Sequence, residues 1–142
     1  MSNAVWAFGT VLQIGDGGSP ESFVSLAEGL SVTPFVPTAD VIDLTNHDSP
    51  GGWEEALPTI FRTGEAVFEG NYIASHATHQ QVRTDLQNRT KRNFKIILPD
   101  PGAETWSFSA YVVRFELNPH DPTVQQKMTC AVKITGQPTF TY

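Results

Sequence analysis

A single cysteine, Cys130, stands among the 142 residues, which excludes an internal disulfide framework and suits a reducing compartment. Charge is scarce too: 17% of the chain is Asp, Glu, Lys or Arg, against about 25% in an average domain. Bases are the rarer sign, nine against fifteen acids, for a formal charge of −6. Such a balance argues against ordinary nucleic-acid binding, which is driven by neutralising phosphates. No apolar run approaches the roughly 18 residues of a membrane span. No basic stretch followed by an apolar one opens the chain, so no secretory leader is expected.

Catalytic patterns are equally thin. There is no HExxH pair and no GxSxG elbow, which removes the common zinc-protease and serine-hydrolase signatures. Gly15-Asp16-Gly17-Gly18 has the glycines of a phosphate loop but neither its lysine nor its helix. His76 and His79 are three apart, yet a catalytic zinc needs a third protein ligand, so both are expected to be exposed at a helix start. Cys130 falls on the inward side of an alternating strand and reads as a small buried hydrophobe. Glu54 and Glu55 adjoin a Pro/Gly-rich loop and are expected to be solvated. No catalytic group, metal site or cofactor is predicted.

What the chain does have is β-forming material. Nine Phe, three Trp, three Tyr, 11 Gly and 10 Pro point to one compact, mainly β domain over residues 1–142. Strands are expected at 10–14, 39–45, 65–74, 93–98, 105–118 and 127–135, with one bent or two short strands at 23–35. Residues 53–63 return as an edge or irregular strand, because Pro58 interrupts them. Thr78 with Gln81 fits a capping box, and Val82 with Leu86 gives the one apolar pair of a helix lying outside a sheet. Along 105–118 the apolar phase passes from Trp106, Phe108 and Ala110 to Tyr111, Val113, Phe115 and Leu117, which predicts a bulge near Ala110–Tyr111. The sum is a β-sandwich or partly closed barrel of about eight strands with one flanking helix.

Charge is unevenly placed. Residues 1–64 carry eight acids and one base, Arg62, whereas Arg89, Lys91, Arg92 and Lys95 cluster within seven positions. That basic patch could hold phosphate or stack a base, but the low isoelectric point favours a contact between subunits.

The order of features resembles a known family. A strand ends in Val41-Ile42-Asp43-Leu44-Thr45 and runs into Asn46, His47, Asp48, Ser49, Pro50, Gly51, Gly52 and Trp53. Thr63-Gly64-Glu65-Ala66-Val67-Phe68-Glu69-Gly70 follows, then a helix, Ile97-Leu98-Pro99-Asp100, and Val132-Lys133-Ile134-Thr135-Gly136-Gln137-Pro138 near the end. This series is similar to that of the major tail tube proteins of long, non-contractile-tailed bacteriophages, over roughly residues 9–140. The resemblance implies a two-sheet sandwich with one helix, forming hexameric rings that stack head to tail into the virion's tail tube. It also implies tail tip, tape measure and tail terminator proteins as partners, with double-stranded DNA passing through unbound on its way into the host. The subunit would be made in the host cytoplasm and inserted into no membrane.

On that reading the arm at about 45–63 reaches the neighbouring ring, with residues 46–53 as the inter-ring loop. Its low hydrophobicity leaves it mobile until assembly. Asp40, Asp43, Glu65 and Glu69 are candidates for the bore or its rim, where negative walls keep DNA sliding. Two other readings remain: a tube of a type VI secretion or contractile injection system, and a small carbohydrate- or receptor-binding sandwich using Trp6, Trp53 and Trp106.

Overall fold

The structure, a computed structural model, describes residue 4, residues 8–118 and residues 125–142, with Asn118 by its backbone alone. Among these residues nine strands and one α-helix follow in order: β1 (Val11–Gly15), β2 (Phe23–Ser25), β3 (Gly29–Thr33), β4 (Thr38–Asp43), β5 (Ala56–Arg62), β6 (Glu65–Asn71), α1 (Ala77–Asn88), β7 (Lys91–Ile97), β8 (Thr105–Asn118) and β9 (Lys127–Thr141). Seven strands form one sheet in the order β2-β1-β7-β8-β9-β6-β3, and β4 pairs with β5 alone. The sheet is not closed into a barrel.

Residues 23–35 form two strands. Glu28 turns the chain between them at φ 58°, and its carbonyl accepts the Asn71 amide at 2.9 Å. The long β8–β9 hairpin then makes a sandwich out of one sheet. β7 pairs with Thr105–Tyr111, the first half of β8, while β6 pairs with Lys127–Lys133, the first half of β9. One layer is therefore β2-β1-β7 with the start of β8 and the end of β9. The other is β3-β6 with the start of β9 and the end of β8.

The two inner faces share one core. Leu12, Ile14, Phe94, Ile96 and Phe108 from the first layer join Ala66, Phe68, Met128, Cys130 and Val132 from the second. Phe35, 1% exposed, plugs one end against Trp106 at 5.2 Å and Phe108 at 5.1 Å between ring centroids. Burying a side chain of that size stabilises the fold by about 1.5–3 kcal/mol.

Two expectations change in detail. The predicted bulge near Ala110–Tyr111 lies at Val112–Arg114 instead, with a second irregularity between Ser107 and Ser109. Phe108, Ala110 and Val112 all face inward, and only then do Phe115 and Leu117 take over. Tyr111 and Val113 are apolar yet 39% and 44% exposed, so hydrophobicity alone placed the crossover too early. The second irregularity faces Gly136-Gln137-Pro138, where proline has no N–H to give a ladder.

The helix cap is also different. α1 begins one residue before Thr78, and His76 is the N-cap, its ring accepting the Thr78 N–H at 3.3 Å. The inner stripe of α1 holds Thr78, His79, Val82 and Asp85, so half or more of what the helix buries is polar. His79 is 0% exposed, contrary to its expected exposure. The Ile73 amide donates to its Nδ1 at 3.1 Å, and its Nε2 lies 2.9 Å from the Ala27 carbonyl. One ring thereby ties the helix to the β2–β3 turn and to the end of β6.

Candidate functional site

β4 and β5 stand apart from the sandwich as a two-stranded ribbon, and all thirteen of their residues are exposed. A lone pair of strands is marginally stable in water. Pro58 sits opposite Val41, next to a register shift between Ala39 and Val41. The return arm is thus a hairpin with one irregular step. Each strand has a free side, which makes a missing N–H tolerable.

The ribbon exposes apolar side chains on both of its faces. Val41 is 59% exposed and Ile42 45%, though side chains of adjacent residues point to opposite sides of a strand. Ile60 and Phe61 repeat the pattern across the pair. Chains avoid exposing such strands because they seek partners.

The tip is laced by hydrogen bonds of its own. Asp43 accepts the Thr45 N–H at 2.8 Å, and Thr45 Oγ1 accepts the Glu55 N–H at 2.8 Å. Asn46 Oδ1 accepts the Asp48 N–H at 2.7 Å. Ser49, 7% exposed, accepts the Asn46 N–H and donates to Glu55 Oε2, both at 3.0 Å. Pro50–Gly52 then makes a single 3-10 turn, with Gly51 and Gly52 at φ 63° and 73°, a region glycine enters without strain. The loop expected to be mobile has its own hydrogen-bond framework. Trp53 leaves it lying against Gly51 and 79% exposed, and His47 and Asp48 are exposed beside it.

The four candidate acids fall on two elements. Asp40 and Asp43 belong to the ribbon, where Arg62 Nε donates to Asp40 Oδ2 at 2.9 Å; with both partners about half exposed, the pair adds at most about 1 kcal/mol. Two hydrogen bonds from Thr45, its hydroxyl first and its N–H second, hold the Asp43 carboxyl below its ordinary range. Glu65 and Glu69 lie on the outward side of β6, opposite Lys133 and Thr129 of β9.

The four candidate bases lie at the end of α1 and along β7. Arg92 turns to Asp85, with Nε to Oδ2 at 3.1 Å and Nη2 to Oδ1 at 3.2 Å, and also donates to the Asp16 carbonyl. Lys95 Nζ sits 4.1 Å from the centre of the Phe23 ring. Arg89 ends α1 in a left-handed conformation at φ 54°, and Lys91 is exposed. Sequence reasoning missed both the Arg92–Asp85 link and the apolar ribbon; adjacent apolar pairs such as Val41-Ile42 and Ile60-Phe61 were the available signal for the second.

Among the described residues no three His, Cys, Asp or Glu side chains are placed to hold a metal. Burial pushes the Cys130 thiol up to about 12, so a thiolate nucleophile is not at hand near neutrality. Trp106 is packed on the core and donates to Glu104 at 2.8 Å, whereas Trp53 stands exposed on the arm; Trp6 lies outside the described residues.

A one-helix sandwich with a projecting apolar ribbon is the tail-tube type of fold. Solved structures agree: a tail subunit of an empty gene transfer agent particle, determined with C6 helical symmetry, superposes with a TM-score of 0.79 at 17% identity, covering 98% of this chain and 100% of that one. The SPP1 tail tube superposes at 0.72 and 9% identity over 96% and 78% of the two chains. A chain of the anti-feeding prophage baseplate does so at 0.74 and 13%, over 99% and 97%. No curated protein matches the sequence. The model of the lambda phage tail tube protein, TTP, matches residues 6–141, and the chain belongs to that family. Its role is structural, in a phage tail.

Proposed function

We propose that this chain polymerises through two unlike surfaces, as rings of six stacked head to tail, and that the resulting tube is the conduit for genome ejection. A heterologous contact that closes gives a ring, and a second that does not close gives a filament. The observation that carries this is the β4–β5 ribbon, which exposes apolar side chains on both faces and pairs with no other strand among the described residues. It is the arm that enters the neighbouring ring. The outer side of β3, to which no strand pairs among the described residues, offers the lateral contact, since an edge strand accepts another chain's strand. The family match favours a non-contractile tail over the contractile systems that share the fold.

Glu65 and Glu69, on the outward side of β6, are the acids that face the bore, and Asp40 and Asp43 belong to the arm. Arg89 and Lys91 remain available for contacts between subunits. Tail tip, tape measure and tail terminator proteins meet the two ends of the tube, and assembly takes place in the host cytoplasm. The test is deletion of residues 46–53. The variant keeps its circular-dichroism spectrum and cooperative melting but forms no tubes. A deletion variant that still polymerises to normal length overturns the arm assignment.

A further inference from the structure

The base of the arm has its own feature. Pro37, Phe61 and Arg62 face Lys133, Pro138 and Phe140 of β9 across an open cleft of about 780 Å³. It exists because Gly136, at φ 81°, and Pro138 throw β9 out of step with β8 beside Ser107 and Ser109. Thr63, Thr135 and Gln137 stand among its apolar groups, Lys133 and the Asp40-paired Arg62 lie at its wall, and Phe61 is 78% exposed at its edge. Clefts of this size and lining hold aromatic groups well.

The tip of the same arm is its complement. Trp53 projects from it, and residues 43–55 contain Asp43, Asp48, Glu54 and Glu55 with no Lys or Arg. Trp53, in a stretch that carries acids and no bases, fits this cleft, with aromatic burial for affinity and the charge of Lys133 for register; Arg62 at the same wall is already paired with Asp40 of its own chain. Within one chain the two are out of reach. Six or seven residues of strand at about 3.3 Å each separate the tip from the base by about 20 Å. A second copy advanced along the arm brings its own cleft to the first copy's tip.

We infer that the cleft at the base of the arm receives Trp53 of a second copy, in the next ring. This rests on the arm being the stacking element, and it adds the surface that takes it. Each copy then carries a plug and a socket at opposite ends of one ribbon, and the contact repeats without closing.

The experiment is site-specific cross-linking between differently labelled copies. Trp53→Cys and Gln137→Cys proteins are mixed, assembled and oxidised; Gln137 lines the cleft and is exposed, and the native Cys130 is 1% exposed. The expected result is a disulfide-linked dimer in assembled mixtures only, absent from either protein alone. Tubes without that dimer, in which Trp53→Cys links instead to a cysteine placed outside the cleft, overturn the socket and leave the arm standing. If Trp53→Cys itself prevents assembly, charge exchange decides. Glu54→Lys and Lys133→Glu each shorten tubes several-fold, and the double variant restores their length; a double variant no better than the singles overturns the inference. Normal tubes after deletion of residues 46–53 instead overturn the reading beneath it.

Discussion

Arg92 holds Asp85 through two nearly parallel hydrogen bonds, of 3.1 and 3.2 Å, joining the last turn of α1 to the first residues of β7. Asp85 is 1% exposed, and the same arginine also reaches the Asp16 carbonyl beside β1. Removing one partner of a buried pair strands the other, at a cost of about 3–5 kcal/mol. With Arg92 part-exposed, Asp85→Ala is expected at the lower end, about 3 kcal/mol. Urea unfolding checks it through a lower midpoint at unchanged slope.

His79 is the second hinge of the helix. Its replacement by alanine removes a buried ring and the bonds to Ile73 and Ala27, an expected loss of about 3 kcal/mol. Amide exchange in residues 23–33 rises more than in β7 or β8. Uniform acceleration across all strands contradicts the local tie.

Gly70 is set by close approach. A Cβ there would lie 2.7 Å from the Glu28 carbonyl oxygen and 3.0 Å from the Phe68 ring. Gly70→Ala is therefore expected to destabilise by about 1–3 kcal/mol, read as a fall in melting temperature. An unchanged melting temperature contradicts the packing of the β2–β3 turn on β6.

Asp43 supplies a pH test confined to the arm. Its carboxyl titrates below the ordinary 3.8 because the Thr45 hydroxyl and N–H bond to the charged form. Its contribution to tip order is complete above pH 3.8 and is lost as the pH falls through the lowered value. A carboxyl NMR titration gives a midpoint under 3.8, and Thr45→Ala raises it. A midpoint at or above 3.8 contradicts the capped tip.

Cys130 is buried among core side chains and its thiol titrates only near 12. Thiol reagents at pH 8 are expected to leave it unmodified in the folded protein and to label it fully in denaturant.

Much of the sandwich was legible, because β6 and β7 alternate cleanly between core and surface, and β9 does so apart from Ala131, which is buried between Cys130 and Val132. Strand β8 was legible in extent but not in phase, since exposed Tyr111 and Val113 mimic inward residues. The helix was legible as an element, but His79 and Asp85 looked like surface residues because their partners, Ala27 and Arg92, are set by tertiary structure. The arm showed in its Asn/Asp/Pro/Gly tip. Its apolar stem was less plain, because apolar residues exposed on both faces of a ribbon do not follow the in–out alternation of a half-buried strand.

The central claim is that identical copies join through this arm and the sheet edge. Electron microscopy of the purified protein at increasing concentration tests it most directly. The account predicts rings and hollow tubes of uniform diameter from the intact chain. Particles that stay monomeric at millimolar concentration, with neither rings nor tubes, contradict it.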